Sequence, residues 1–397
     1  MKRKVLLVST LYRPNIGGIE NSLYHLALEY ESLGYQIDIV SSDRNNQSLE
    51  ILKSFEKVNN NISLYRYKSE HEKFLGIFKS YFNQYKMLKN LLVLSESYNV
   101  ILARSALSVI ACRHAGFKRV IYLLPGVSLY QSNEKNLYSK TTLLKKIKVF
   151  ISNKYNHCLQ FVAVRLAHRN LVFSDNMSIQ VKNALSVNVD SPIVKPGVDP
   201  ERFYPVDDSM KQRLKQKLNL PKDKKIILGL GRFVKAKGFD IIINSLKYLP
   251  KDYIVCLVGH GVESETYRDL ALSLEVSENL FIFPPTSKPE DFYKASDFFA
   301  MTSSYEPLGQ TIIEAQACGL PIIALNPDTL DVITAINEVT TEYTREICDH
   351  QDGKELSNSI IKMNHRVEAG RVTKYDTSEY AFKTFSWNKL AISLIDL

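Results

Sequence analysis

Three stretches of the sequence combine glycine with charged side chains, and each directly follows a predicted β-strand. The first is Tyr12–Glu20, where Gly17 and Gly18 allow a ligand to approach the backbone closely. The start of a following helix would offer free N–H groups to an anion. Read alone, the two glycines favour a plain strand-to-helix turn over a ligand site.

The second stretch, Gly229–Gly238, carries Arg232 and Lys237 just after a predicted strand. An arginine fork and a lysine point charge together suit a diphosphate. Doubly wound sheets bind ligands at the carboxyl ends of their strands, where these two side chains can converge. The stretch lacks the Walker A spacing. Read alone, two basic residues in a loop are more often solvated surface.

The third stretch, Ser303–Ala315, places Glu306 in a loop and Glu314 in the helix that follows. Amides from Gly309 to Thr311 would form the start of this helix and face a ligand. Glu314 lies among apolar residues, and a buried carboxylate is costly unless it is hydrogen-bonded. Ligand hydroxyls are one possible source of such bonds.

These stretches need a parallel-sheet framework, and the rest of the 397-residue chain predicts one. Short apolar runs alternate with longer amphipathic stretches in both halves, as in a sheet covered by helices. The predicted strands are Val5–Ser9, Gln36–Val40, Val100–Ala103, Val120–Leu123, Asn170–Phe173, Lys225–Leu230, Tyr253–Val258, Leu280–Phe283, Phe298–Thr302 and Pro321–Leu325. The segment Ser191–Pro200 has three prolines and a glycine, which indicates a linker and a domain boundary near residue 200.

Composition excludes several classes of protein. With 45% apolar and 23% charged residues, the chain is neither disordered, collagen-like nor a coiled-coil rod. No apolar run approaches the roughly 18–20 residues that span a bilayer, and the apolar segment after the basic start is too short for a signal peptide. Five scattered cysteines predict neither a disulfide framework nor a metal site, so we expect them reduced and packed, in the cytosol.

The positive charge is concentrated in the first half. Residues 1–195 carry a net charge of +14 and the remainder −5, and residues 73–174 hold 16 basic residues against only Glu96 and Glu134. Within this region, residues 73–92 and 140–169 mix lysine with aromatic residues, which suits the surface of an anionic membrane. A solvated helix face is the alternative. No nucleic-acid-binding motif accompanies the charge.

Taken together, the motifs resemble the family-4 retaining glycosyltransferases of GT-B fold across nearly the whole chain. The matching strings are Tyr-x-Pro-x-x-Gly-Gly-x-Glu at residues 12–20, Pro196–Asp199 with Phe203 and Pro205, G-R-x-x-x-x-K-G at 231–238, E-x7-E at Glu306 and Glu314, and Phe385–Trp387. The resemblance implies two Rossmann-like domains facing a cleft, residues 1–200 on the acceptor side and 201–383 binding the nucleotide sugar. Residues 384–397 would pack back onto the first domain.

The resemblance also implies the chemistry. A sugar would move from a nucleotide-sugar donor with retention at the anomeric carbon, without a metal or other cofactor. Glu306, Arg232 and Lys237 would be catalytic, with the two cations on the diphosphate, Glu306 on the donor sugar and Glu314 on the ribose. The residues implied in donor binding are Gly17, Gly18, Arg232, Lys237, Glu306, Leu308, Gly309, Gln310, Thr311 and Glu314.

The acceptor would be a membrane-linked lipid or glycan in cell-surface polysaccharide biosynthesis, with the protein peripheral on the inner face of the membrane. One departure from the family is the segment Leu123–Val127, which lacks the His-Gly or His-Asp step of many members. Main-chain carbonyls near Pro125 could replace that histidine, or the donor sugar may differ. His25 and His114 are alternatives only by residue type.

Other functions remain open at the level of sequence. Within GT-B enzymes the alternatives are a sugar-phosphate phosphorylase and a nucleotide-sugar epimerase, although no acid/base set for an epimerase is recognisable. A scaffold that binds a membrane or nucleic acid through a degenerate cleft is the non-enzymatic alternative. The joint presence of Arg232, Lys237, Glu306 and Glu314 argues against a degenerate cleft.

Overall fold

The structure, a computed structural model, describes residues 3–15, 17–46, 48, 50–70, 73–94, 98–130, 143–185 and 191–397. Two compact units divide the chain: Met1–Gly197 with Trp387–Leu397 form the first, and Val198–Ser386 form the second. These bounds lie within a few residues of the predicted domain limits. Ile16, Glu96, Glu134 and residues 140–142, which entered the predictions, lie outside the described residues.

The first unit is a parallel sheet with helices. Its strands are β1 (Lys4–Val8), β2 (Gln36–Ser42), β3 (Phe55–Lys57), β4 (Ile62–Tyr67), β5 (Val100–Ala103), β6 (Val120–Leu123) and β7 (Arg169–Leu171). Its helices before residue 198 are α1 (Gly18–Ser32), α2 (Lys73–Leu94), α3 (Ala106–Ala115), α4 (Leu143–Leu166) and α5 (Asp175–Leu185). In the described residues the strand order is β3-β4-β2-β1-β5-β6-β7, and β3 alone runs antiparallel to its neighbour.

The second unit repeats this architecture with a fully parallel main sheet. Its strands are β8 (Lys225–Leu230), β9 (Tyr253–Val258), β10 (Leu280–Phe283), β11 (Phe298–Met301), β12 (Tyr305–Glu306), β13 (Ile322–Leu325), β14 (Ile333–Thr334) and β15 (Arg345–Cys348). Its helices are α6 (Asp208–Lys217), α7 (Phe239–Ser245), α8 (Ser264–Ser273), α9 (Pro289–Ala295), α10 (Gln310–Ala317), α11 (Ile336–Val339), α12 (Gly353–Glu368) and α13 (Lys374–Thr384). The described strands order as β10-β9-β8-β11-β13-β15, with β12 and β14 paired separately.

Burial on both faces explains the apolar runs of this sheet. Every residue of β9 is buried, with Ile254 in one apolar cluster and Val255 in another. Alternate side chains of a strand point to opposite faces, so each face of the sheet carries its own layer of core residues. The prediction of buried parallel strands is therefore confirmed.

The last helix, α14 (Trp387–Ile395), belongs to the first unit. The Trp387 indole stacks on the His25 ring with centroids 5.4 Å apart, and Asn388 donates a hydrogen bond to Glu29 at 3.0 Å. Gly197 leaves room for the indole, since a Cβ there would lie 2.3 Å from Trp387 Cγ. Trp387, the last residue of the Phe385–Trp387 motif, thus fixes α14 to α1.

Most predicted strands are confirmed, several at both ends, but some strands were missed. β4 alternates buried and half-buried residues in the pattern of an outer strand, and β15 is only four residues long. The cysteines are free, and four are buried. Packing was wrongly predicted for Cys158, which is exposed on α4. No helix in the described part of the chain is long and apolar enough to cross a bilayer.

The tight turn at Gly238 yields a stability prediction. Gly238 has φ +62°, and a Cβ there would lie 2.2 Å from the carbonyl oxygen of Thr302. Gly370 has nearly the same φ, +66°, with nothing within 4 Å of its Cβ position. We expect Gly370→Ala to cost about 1 kcal/mol of unfolding free energy from backbone strain alone, and Gly238→Ala to cost several kcal/mol. Urea unfolding measures both, and equal losses would contradict the steric argument.

Candidate active site

The chain leaves β8 through a turn built on close backbone packing. The Gly231 amide donates to Val258 O at 3.0 Å, and the Phe233 amide donates to His260 O at 3.0 Å. Phe233 is buried, and residues Lys235–Lys237 form one 3₁₀ turn that ends at Gly238. Glycine at position 259 is required here, because a Cβ would lie 1.9 Å from Gly231 O. Lys237 therefore leaves the strand edge from a rigid turn.

Hydrogen bonds join this turn to the segment after β11. The Ser304 amide donates to Ala236 O at 2.9 Å, and the Thr302 hydroxyl donates to Lys237 O at 3.0 Å. Downstream, β12 pairs with β14, and the Ala335 amide donates to Glu306 O at 3.0 Å. Lys237 and Glu306 are 69 residues apart in sequence, and these bonds bring them to one edge of the sheet.

Lys237, Glu306 and Gly309 form the centre of the site. The Lys237 ammonium makes an ion pair with Glu306 Oε2, and the two side chains are 16% and 18% exposed. The Gly309 amide, at the start of α10, donates to Glu306 Oε1 at 3.3 Å. A carboxylate thus occupies the place where an ammonium and a helix N-terminus meet, which is an anion-binding position.

The remaining residues predicted around α10 differ in their surroundings. Gly309 has φ +82°, a left-handed conformation that glycine adopts without strain, and it begins the helix. Leu308 packs against the core of the second unit rather than standing free. Gln310 hydrogen-bonds the Glu314 side chain, and Thr311 is half-buried.

Arg232 lies at the surface. Its side chain is exposed and makes no ion pair with any described residue. The structure therefore pairs Lys237 with Glu306 and leaves the guanidinium of Arg232 to solvent. The predicted convergence of both cations on one ligand stays a prediction.

Glu314 is buried inside the second unit. Its Oε2 accepts a hydrogen bond from the buried Tyr293 hydroxyl at 3.1 Å. Burial raises the pKa of Glu314 to about 7, against the lowering effects of the Tyr293 bond and of the charge on Arg202. The required partners of this carboxylate are thus supplied by Tyr293 and Gln310, and its predicted contact with ligand hydroxyls stays a prediction.

Sequence reasoning missed Arg202 and Tyr293, which shape the surroundings of Glu314. Arg202 forms a two-pronged ion pair with Glu290, its Nη2 lying 2.6 Å from Glu290 Oε2. Tyr293 packs edge-on against Phe203 in the core. Arg202 directly precedes Phe203 of the mid-chain motif, so the motif could have indicated Arg202 in the sequence. Nothing in the sequence distinguished Tyr293 from other core aromatics.

The first unit holds Gly17 and Gly18 at the start of α1. Gly17 is extended, with φ −175°, and a Cβ there would lie 2.3 Å from Glu20 Oε2. No described residue lies within 4 Å of the Cβ position of Gly18, so no contact with the described part of the chain demands glycine there. Glu20 therefore folds back over the glycine pair at the helix start.

The segment Leu123–Val127 is held by side chains from elsewhere in the first unit. Arg104 donates to Leu123 O at 2.7 Å, and Gln160 donates to Gly126 O at 2.8 Å. Two of the carbonyls considered as replacements for the absent histidine already have protein partners. His25 stacks on Trp387, and His114 bonds Tyr81, so both have packing roles.

The described residues contain no group of three or more histidine, cysteine, aspartate or glutamate side chains that could hold a metal ion. The absence of a metal requirement stays a prediction.

Comparison with known families adds to this geometry. Residues 210–375, within the second unit, match the family model "Glycosyl transferases group 1". The match includes Arg232, Lys237, Glu306 and Glu314 within its bounds. The finer assignment to family 4 stays a prediction.

Curated relatives match part of the chain. The D-inositol 3-phosphate glycosyltransferase of Xylanimonas cellulosilytica is 34% identical over 215 residues, which are 52% of this chain and 50% of that protein. The lipopolysaccharide core biosynthesis glycosyltransferase LpsE of Rhizobium meliloti is 37% identical over 108 residues, 27% of this chain and 32% of LpsE. The chain thus spans about half the length, or less, of these relatives.

Solved structures match the whole chain and show its fold. Sucrose-phosphate synthase from Thermosynechococcus elongatus gives a TM-score of 0.79 at 18% identity, covering 99% of this chain and 97% of that one. Anabaena Alr3699/HepE in complex with UDP and glucose gives a TM-score of 0.73 at 17% identity, with 100% of both chains covered. The GT-B fold predicted from the motifs is confirmed.

The raised pKa of Glu314 predicts a pH-dependent stability. The folded protein holds the proton of Glu314 up to about pH 7, whereas the unfolded chain releases it near the ordinary glutamate pKa of 4.5. The contribution of Glu314 to the free energy of unfolding is therefore fully present below pH 4.5. It is lost as pH rises through 7, by an amount of the order of 3 kcal/mol. As pH rises from 5 to 8, the unfolding temperature of Glu314→Gln should fall less than that of the wild type. Parallel pH profiles would contradict this.

Proposed function

We propose that the protein transfers a sugar from a nucleotide-sugar donor, with the diphosphate bound at Lys237. The observation that carries this proposal is the anion position formed by the Lys237 ammonium and the Gly309 amide, which the Glu306 carboxylate occupies in the protein alone. A phosphate oxygen carries the same charge and accepts the same hydrogen bonds as that carboxylate. The family match and the UDP complex of the structural neighbour HepE support a nucleotide diphosphate as the ligand.

The catalytic demand is stabilisation of the charge that develops on the departing diphosphate. Preorganised cations and amides aimed at that charge lower the barrier most directly. Lys237, Arg232 and the start of α10 would supply this stabilisation in a metal-independent reaction. Once a phosphate takes its place, Glu306 can accept hydrogen bonds from the donor sugar. The motif resemblance at Glu306 and Glu314 supports the retaining outcome.

The other donor contacts are part of the same proposal. Glu314 would accept from the ribose hydroxyls, with Gln310 and Tyr293 fixing its orientation. Leu308, Gly309 and Thr311 would present the backbone at the start of α10. Gly17 and Gly18 of the first unit would contribute main-chain contacts to the phosphates.

Of the substitutions at Lys237 and Glu306, only the one at Lys237 should weaken nucleotide binding. Lys237→Met removes the ammonium that binds the diphosphate, so we expect at least tenfold weaker binding of the nucleoside diphosphate and loss of transfer. Glu306→Gln removes the carboxylate that competes for the same position, so we expect equal or tighter binding with transfer still lost. Isothermal titration with UDP, GDP and ADP measures the affinities.

Lys235→Met is the matched control, because Lys235 lies in the same 3₁₀ turn and is exposed. It should leave nucleotide affinity within twofold of the wild type. Weaker binding in Glu306→Gln, or unchanged binding in Lys237→Met, would show that the diphosphate does not occupy this position.

We also propose that the acceptor is a lipid-linked or other membrane-bound glycan of cell-surface polysaccharide biosynthesis. LpsE, a relative of part of the chain, is named for lipopolysaccharide core biosynthesis. The support within this chain is a basic–aromatic face of the first unit. Its members are Ile77, Phe78, Lys79, Phe82, Lys86 and Lys89 on α2, and Phe150, Ile151, Lys154 and Arg165 on α4.

The basic–aromatic face combines apolar exposure with positive charge. Phe78 is 54% exposed, Phe150 is 59% exposed, and helix α3 packs against both α2 and α4. The Lys86 ammonium lies 4.7 Å from the centre of the Phe82 ring. Aromatic rings enter the headgroup layer, and each lysine near an anionic surface contributes about 1 kcal/mol, so this face suits the cytoplasmic leaflet.

Vesicle co-sedimentation tests the basic–aromatic face. The wild type should bind phosphatidylglycerol vesicles and not neutral phosphatidylcholine vesicles, with binding weakened by salt. The pair Phe78→Ser with Phe150→Ser should reduce binding about tenfold or more. Leu272→Ser is the control, since Leu272 is 71% exposed in the second unit. Equal binding to both lipids, or an equal loss in the control, would remove the membrane proposal.

A further inference from the structure

The first sheet has a topological switch point between β1 and β5. From β1 the chain builds outward through β2 and β4, then returns to build β5, β6 and β7 on the other side. Ligands of doubly wound sheets bind outside the carboxyl ends of the strands at such a point. Two charged residues stand there: Glu20 follows β1 in the first turn of α1, and Arg104 directly follows β5.

Arg104 is a buried cation with few partners. Its side chain is 2% exposed, and its backbone amide donates to Val8 O, at the end of β1. Nη1 donates to Leu123 O at 2.7 Å, while Nε has no hydrogen-bond partner among the described residues. Burying a charge without a carboxylate partner costs several kcal/mol. Such a cost is commonest where the group serves a ligand.

Arg66 shows what a structural arginine looks like in the same unit. It is equally buried, at 5% exposure, but its guanidinium pairs with Glu56 at 3.0 Å. It also donates to the carbonyls of Lys53 and Arg13, which ties two loops together. The Nε atoms of both arginines lack hydrogen-bond partners among the described residues, so the difference between them is the ion pair. Arg104 has one carbonyl and the Phe173 ring, whose centre lies 5.2 Å from its guanidinium carbon, and a purely structural role leaves its charge without a carboxylate in the described residues.

Glu20 lies close enough to Arg104 for their charges to interact, but the two residues form no ion pair. Glu20 is 9% exposed, and the charges of the two residues interact at longer range. Burial raises the pKa of the Glu20 carboxyl and lowers the pKa of Arg104 to about 10. The switch point therefore presents a hydrogen-bond donor and a hydrogen-bond acceptor that do not satisfy each other.

We propose that Arg104 and Glu20 bind the hydroxyl groups of a neutral sugar. A hydroxyl both accepts from a guanidinium and donates to a carboxylate, so a diol satisfies both residues at once. An anion at Arg104 would instead face the negative charge of Glu20. This inference deepens the proposed function, and the sugar has two sources: the group transferred from the donor, or the acceptor.

The experiment compares nucleotide with nucleotide sugar. The full-length wild type, Arg104→Met, Glu20→Gln and the structural control Arg66→Met are titrated with UDP, GDP and ADP and with UDP-glucose, GDP-mannose and ADP-glucose. Thermal unfolding checks the fold of each variant. Saturation-transfer NMR then follows free glucose, galactose and mannose on protein loaded with the nucleotide.

If the donor sugar is the ligand, Arg104→Met and Glu20→Gln weaken the nucleotide sugar about tenfold and leave the bare nucleotide within twofold. If the acceptor is the ligand, nucleotide-sugar affinity is unchanged, and the saturation-transfer signal of a free sugar is lost in both variants. Arg66→Met should lower stability and change neither measurement.

Unchanged sugar binding in both folded variants overturns the inference, as does a loss of the same size in Arg66→Met. Should Arg104→Met fail to fold, Glu20→Gln decides by the same criteria. A wild type that binds no nucleotide would refute the proposed function, whereas the free-sugar signal would still test Arg104 and Glu20 on their own.

Discussion

The interaction on which the candidate site depends is the ion pair between Lys237 and Glu306. Attraction between the two charges, with the Gly309 amide as a third partner, fixes the loop after β11 against the turn after β8. The two side chains are only 16% and 18% exposed, so neither charge is satisfied without the other or a substitute. Under the proposed function, an entering ligand would exchange one anion for another, and this exchange would make the site selective for negative charge.

Glu314 shows a different use of a carboxylate only eight residues away. Here burial dominates, and the Tyr293 hydroxyl and Gln310 take the place of water. Glu306 stays beside a cation at the edge of the sheet, whereas Glu314 lies within the core. Glutamate thus supplies a charge paired with a cation at position 306 and a buried hydrogen-bonding partner at position 314.

Local pattern made the framework of this protein predictable. Buried strands such as β8 and β9 are continuous apolar runs, and Gly309 marks the start of α10, so strand edges and helix starts could be located from residue type. The strand β4 escaped because its half-buried alternation is weaker than a fully apolar run. Arg104 escaped because nothing in its neighbourhood in sequence shows that β5 buries it; only the pairing of β5 between β1 and β6 does so. Tyr293 was hidden among core aromatics for the same reason.

The assignment of α14 to the first unit has a consequence for synthesis. Residues 198–386 are a continuous insertion within that unit, so α14 is synthesised after the whole of the second unit. The surface of α1 that contacts Trp387 therefore stays uncovered while the whole second unit is synthesised. Domains ordinarily fold in order of synthesis, from the amino terminus onward. In this chain the later unit can complete its core first, and the earlier unit is completed only after α14 has been made.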